Sequence, residues 1–182
     1  VAVAAARTET AERLDASAAE GATAFPRARV RVHCMVEDLL ADGPALQAED
    51  RLAAQLKSER RRDAETGVTS SGPHRADMVV TNAADGMAAA EGSTGEQKAL
   101  LVSLTFAAAR MVRAATGMAP ALLLDEVAAH FDPTRRSALF DEALALGGQL
   151  WVTGADAAQL SALSGRADWR EVDASRIAAV SN

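Results

Sequence analysis

The spacing of apolar positions changes character along the chain. Residues 1–20 are alanine-rich, with Arg7, Glu9, Glu12, Arg13 and Asp15 set among the alanines. This pattern predicts an amphipathic helix with one small-residue face. Gly21 and Pro26 break it. Arg27-Ala28-Arg29-Val30-Arg31-Val32 alternates polar and apolar residues, which predicts a strand with one wet face. Residues 35–41 form a short helical stretch ended by Asp42-Gly43-Pro44. A long helix is expected from about Ala45 to Glu65. Its apolar positions Leu46, Leu52, Ala53 and Leu56 are sparse, and Lys57, Arg60, Arg61 and Arg62 crowd its end. Gly67 supplies the stop.

Beyond Gly67 the texture changes. Asp77-Met78-Val79-Val80-Thr81 reads as a strand leading to a loop with Asn82 and Gly86. An apolar helix is expected over about 95–115, with Leu101, Leu104, Ala108, Met111 and Val112 at helical spacing. Leu100 and Phe106 broaden its face, so burial on most sides is expected. After Gly117, the run Ala121–Leu124 suits a strand covered on both faces. Pro133 opens a helix through Leu146. A strand over Gln149–Thr153, a helix over Ala155–Leu163 and a last strand near Arg170–Val172 follow. Alternating strands and helices predict a parallel α/β layer. The change near 67–72 separates a helical region, 1–66, from an α/β region, 67–182. No internal repeat is visible.

Composition adds bounds. The 182 residues suffice for one domain, or a domain with an appendage. Hydrophobic residues make up 49%, aromatics only 3%, so small aliphatics must build the core. The formal net charge of −6 argues against whole-surface attraction to nucleic acid, yet a local basic cluster can still meet phosphates. The single cysteine, Cys34, excludes an internal disulfide framework. Cys34 and neighbouring His33 do not make a metal site, and a buried thiol is expected. With no apolar run near the roughly 20 residues of a membrane span and no signal peptide, a cytoplasmic, reducing setting is expected. The chain opens on Val1 rather than Met, as a fragment of a longer protein would.

Two segments carry candidate chemistry. Ser93-Thr94-Gly95-Glu96-Gln97-Lys98 opens the apolar helix. Ser93 with Glu96 three residues later is a capping box, which needs no ligand. The same geometry also suits phosphate: a helix start offers free N–H groups and partial positive charge, and Gly95 removes a Cβ from the approach. Ala121-Leu122-Leu123-Leu124-Asp125-Glu126 is an apolar strand ending in two carboxylates. In α/β sheets ligands gather at the carboxyl ends of strands. One carboxylate there can hold a hydrated Mg²⁺, and its neighbour can orient or deprotonate water. Asp132-Pro133 reads as an N-cap followed by an N1 proline. Thr153, at the end of the next strand, is aimed at the same pocket.

In this order the motifs resemble the signature and Walker B segments of an ABC-type ATPase head of the SMC-like kind. Ser71-Gly72-Pro73-His74-Arg75-Ala76-Asp77, just before the signature, narrows the likeness to the RecF family of bacterial recombination mediators. Asp125-Glu126-Val127-Ala128-Ala129-His130-Phe131-Asp132 with Arg135-Arg136 resembles that family too. So does the upstream stretch with Phe25-Pro26-Arg27-Ala28 and Gly43-Pro44-Ala45-Leu46, which is similar to its arm domain.

The resemblance implies the carboxy-terminal part of a P-loop-NTPase-like head plus a helical arm segment. It implies two heads sandwiching ATP and Mg²⁺ in an ATP-dependent homodimer. Ser93, Gly95, Glu96 and Gln97 would meet the γ-phosphate held by the partner head. Asp125 would position Mg²⁺, Glu126 would be the general base, Asp132 would lie in the D-loop, and Thr153 would take the switch position. The implied partners are DNA at gaps and single–double-strand junctions, and RecO/RecR-type mediators. Implied roles are help in RecA loading and the SOS response. His74 and Arg75 fit either a stabilised turn or a nucleotide or DNA contact. Arg60, Arg61 and Arg62 fit either a solvated helix end or DNA phosphates.

One departure is large. No G-x-x-x-x-G-K-[ST] loop occurs in these 182 residues, and Gly92–Lys98 has the wrong spacing for one. Negligible ATP binding by this polypeptide alone is therefore expected. His130 also departs from the acidic residue expected near the D-loop. Two other readings stand beside the repair ATPase. One is an ABC subunit of another system, against which the absent L-S-G-G-Q sequence and switch histidine speak. The other is a non-catalytic interaction module.

Overall fold

The computed structural model describes residues 1–21, 24–173 and 176–180. Two compact units divide the chain, Val1–Met111 and Val112–Asn182.

In the first unit, α1 (Ala2–Ala19) buries Ala4, Ala11 and Ala18. These lie seven apart, two helical turns each, so they form one stripe of minimal side chains that lets a neighbour approach closely. That neighbour is β1 (Ala28–His33), which buries Ala28 and Val30 and turns Arg29 and Arg31 outward. β1 pairs antiparallel with β2 (Asp77–Asn82), Val30 opposite Val80. The ladder thus joins residues from both sides of the texture change at 67–72. Between the strands run α2 (Met35–Ala41) and the mostly solvated α3 (Ala45–Thr66). Gly67 ends α3 in the left-handed conformation, φ 69°, as its position predicts. Ala4, Cys34 and Val36 form a small core packed by Met35, Leu40, Leu52 and Ala76.

The apolar helix is α4 (Thr94–Thr116). It buries Ala99, Leu100, Val102, Ser103, Phe106, Ala107 and Ala109. The Phe106 ring meets Phe25 edge to face at 6.4 Å, a favoured aromatic geometry. Burial on most sides does not hold: Leu101 is 63% exposed and the last turns face outward. The sequence expectation about membranes also needs correcting, because α4 is long and apolar enough to cross one by length and composition. A core helix passes the same test, and the buried face of α4 is the face of a core helix.

The second unit alternates strand and helix. β3 (Leu122–Leu124) and β4 (Leu150–Val152) pair in parallel, Leu123 opposite Trp151. Between them α5 (Pro133–Ala145) buries Leu139, Phe140 and Ala143. β3 is not covered on both faces: Leu122 and Leu124 are buried, but Leu123 is 75% and Trp151 59% exposed. No described element lies over that pair. The helix expected over 155–163 is a 3₁₀ turn, Ala157–Leu163. Only eight residues separate the Asp156 cap from Gly165 at φ 69°, too few for a settled α-helix. β5 (Trp169–Asp173) pairs antiparallel with β6 (Arg176–Val180), a strand whose Arg-Ile-Ala-Ala-Val lacks the alternation that predicts one.

Candidate functional site

The carboxylate corner is built by the parallel pair. β3 delivers Asp125 and Glu126, and β4 delivers Thr153, all at carboxyl ends of neighbouring strands. The ladder continues one step beyond the strands, since the Thr153 N–H donates to Leu124 O at 3.0 Å. That bond places the threonine hydroxyl between two neighbours. Thr153 Oγ1 donates to Asp125 Oδ1 at 2.5 Å and accepts the Glu126 N–H at 3.1 Å. One hydroxyl therefore fixes the Asp125 carboxylate and the backbone of Glu126 together.

Glu126 has φ 54° and ψ 13°, and among the described residues it is the non-glycine with positive φ. A left-handed side-chain residue costs about 1–2 kcal/mol. Such strain persists where surroundings over-determine it, and here the Thr153 hydroxyl holds the peptide. The turn carries the Glu126 side chain away from the path a continuing strand would take. Both carboxylates are exposed.

Asp132 caps α5. Its Oδ1 accepts the Arg135 N–H at 3.0 Å, with Pro133 in the first turn. That N–H, above all, holds the Asp132 carboxyl below its usual range, with the Arg135 charge assisting. His130 lies exposed in the preceding 3₁₀ turn.

The signature segment lies in the first unit. The capping box closes in full: Ser93 N–H donates to Glu96 Oε2 at 2.8 Å, and Glu96 N–H donates to Ser93 Oγ at 3.4 Å. The Ser93 hydroxyl itself donates to Glu96 Oε2 at 2.6 Å. This hydroxyl first, then the Ser93 N–H, holds the Glu96 carboxyl below its usual range. Gln97 Nε2 donates to Gly92 O at 3.1 Å, which ties the helix to the loop before it. Gly95 differs from these. An added Cβ there meets nothing within 4 Å, and its φ is not positive, so neither space nor backbone in this chain requires glycine.

His74 and Arg75 sit in a 3₁₀ turn, Pro73–Arg75. His74 Nε2 lies 3.0 Å from Thr69 O, and Gly72, at φ 134°, lies under the His74 ring. Arg7 donates to Pro73 O, and the Cys34 thiol to Gly72 O at 3.6 Å. These bonds make Gly72–Arg75 a braced turn. Burial pushes the Cys34 thiol up. Arg60, Arg61 and Arg62 are exposed on α3, and Arg61 pairs with Glu65 at 3.0 Å.

The structure thus brings Asp125, Glu126 and Thr153 together, and separately Ser93, Glu96 and Gln97. The Thr153 bridge is legible only through the resemblance, because a lone threonine at a strand end signals nothing by itself. The left-handed turn at Glu126 had no glycine to announce it.

No protein-family model matches the chain. Curated relatives do: over 152 residues it is 49% identical to the DNA replication and repair protein RecF of Agrobacterium fabrum, covering 84% of this chain and 40% of that protein. The protein of the same description from Rhizobium rhizogenes is 50% identical over 148 residues, covering 81% of this chain and 39% of its own length. The chain belongs to the RecF family. It spans about 40% of the length of these RecF relatives. A solved structure of the recombination mediator protein RecF-ATPrS in the RecFOR pathway aligns with 97% of this chain and 46% of its own, at TM-score 0.72 and 17% identity. A second, of RecF-ATP in that pathway, aligns at TM-score 0.68. At that identity the likeness is one of fold. The fold is α/β, part of an ABC-type ATPase head with a helical segment.

Whether the corner fits Mg²⁺ is decided by its donors. Among the described residues no group of three His, Cys, Asp or Glu is arranged to hold a metal. An all-protein cage is therefore absent from them. Mg²⁺ at nucleotide sites needs less: one or two carboxylates, with phosphates and water completing the shell. Asp125, braced by the Thr153 hydroxyl, is such a carboxylate.

Proposed function

We propose that the whole protein is a RecF-type DNA-repair ATPase, and that this chain supplies the half of the ATP site that acts on nucleotide bound elsewhere. What supports the reading most is the Asp125–Thr153–Glu126 lock at the ends of two parallel strands. In this reading residues 1–66 belong to an arm-like region and 67–182 to the head, with the β1–β2 ladder as the seam. The protein works in the cytoplasm as an ATP-dependent homodimer. It binds DNA at gaps and junctions, acts with RecO/RecR-type mediators to help load RecA, and contributes to the SOS response.

Bound Mg²⁺–ATP supplies the phosphoryl electrophile and neutralises its charge. The residues of this chain do the rest. Asp125 is held by Thr153 as the carboxylate for the metal. Glu126, turned out by its left-handed backbone, accepts a proton from the attacking water. Ser93, Gly95, Glu96 and Gln97 present the start of α4 to the γ-phosphate of the partner head, where free N–H groups favour an anion. The open space at Gly95 supports this, because glycine there has no role inside the chain. Asp132 serves across the dimer. Arg60 and Arg62 are exposed and in no ion pair among the described residues, so they are the cations available to DNA phosphates; His74 and Arg75 brace the turn before β2.

The test is Gly95→Gln in the complete protein, with ATP-dependent dimerisation read by analytical ultracentrifugation. Dimerisation is expected to be lost while ATP binding and the helical signal of α4 persist. Undiminished dimerisation would refute the role of the segment.

A further inference from the structure

The first unit holds a cleft of about 470 Å³ between α1, β1 and the start of α2. Its walls are apolar where Ala11, Ala16, Val30 and Val32 face it, and acidic where Glu12, Asp15 and Glu37 do. Three carboxylates stand there against one guanidinium, that of exposed Arg31. Asp15 has one oxygen occupied, since Oδ1 accepts the Val30 N–H at 2.8 Å.

Glu37 is the unexplained member. It is only 7% exposed, and neither carboxylate oxygen has a hydrogen-bond partner among the described residues. The Cys34 thiol lies near enough to be raised by this carboxylate, but no hydrogen bond closes between them. A buried carboxylate without a partner is costly, and native proteins pair such groups almost without exception. Neither the fold nor the ATP reading uses it.

We infer that this cleft is a binding site for an organic cation, a guanidinium or ammonium group on an aliphatic stem. The stem would lie on the alanine and valine walls, and the charged head would reach Glu37, Asp15 and Glu12. The size is that of a small-molecule or side-chain pocket. Such a cation belongs either to a free metabolite or to an arginine or lysine side chain on a polypeptide.

The test titrates the 182-residue chain with n-butylguanidinium, with the neutral isostere n-butylurea and with the capped tripeptide acetyl-Gly-Arg-Gly-amide, followed by amide chemical shifts. Saturable shifts at residues 30–32 and 37 are expected for the two cations and not for the urea. Glu37→Gln should weaken binding about tenfold or more, the worth of a charge-assisted bond. Glu12→Gln, on the exposed rim, should weaken it less and leaves the buried positions untouched if Glu37→Gln does not fold. Tighter binding of the tripeptide marks a polypeptide source, and tighter binding of the free guanidinium marks a metabolite. Equal binding of the urea, unchanged affinity in both variants, or no saturable shift for either cation would overturn the site.

Discussion

Glu126 sits where glycine would be more comfortable, at φ 54°. Glu126→Gly should therefore raise stability by about 1 kcal/mol if relief of strain exceeds the entropy of the added glycine. Urea midpoints would show it; a marked loss would mean the side chain itself holds the turn. Glu96 and Asp132 make a pH argument. Both carboxyls are held below their ordinary values, Glu96 by Ser93 and Asp132 by the Arg135 N–H. The unfolded chain then binds protons more readily than the folded one, so acid favours unfolding. Their contribution is complete above pH 4.5 for Glu96 and 3.8 for Asp132, and is lost as pH falls through the lower folded values. Urea midpoints should be insensitive to these two groups from pH 8 to about 5, and Glu96→Gln with Asp132→Asn should flatten the fall below that; equal falls in variant and parent would contradict the linkage. Cys34, buried and with its thiol pushed up, should react with iodoacetamide at pH 8 far more slowly than a free thiol until denaturant is added. At this scale the caps were legible because Ser-x-x-Glu and Asp-Pro carry their own geometry. The bare carboxylate of Glu37 was not, because periodicity says which face a residue takes and nothing about its partners.

Elements were legible where their ends are chemically marked. α3 ends at Gly67, α4 at Gly117, and α5 begins at Asp132-Pro133, each close to its expected place. Coverage of faces was less legible. An all-apolar strand is compatible with burial on either side, and Leu123 and Trp151 show one side open. At such exposed positions Leu123→Ser should change the stability of this chain by no more than about 0.5 kcal/mol, measured by thermal unfolding. A large loss would mean that something covers the face. Gly148 is the opposite case. A Cβ there would lie 2.5 Å from Pro120 O, where the chain enters β3 beside β4. Gly148→Ala should destabilise by about 1–3 kcal/mol, because backbone, unlike a side chain tip, cannot yield cheaply. An unchanged unfolding midpoint would show that the β3–β4 pair shifts freely.

At the scale of the whole molecule, the chain aligns with 46% of a RecF structure and carries the signature and carboxylate segments without a phosphate-cradling loop in these 182 residues. The central claim is that Glu126 is the base of an ATP site completed by the rest of the protein. The measurement that bears on it most directly is DNA-stimulated ATP hydrolysis by the complete protein carrying Glu126→Gln, run beside ATP binding. Removing a general base typically costs about 10²–10⁴-fold in rate. The account expects turnover to fall by that order while ATP is still bound. Turnover persisting at the parent rate in this variant would contradict it.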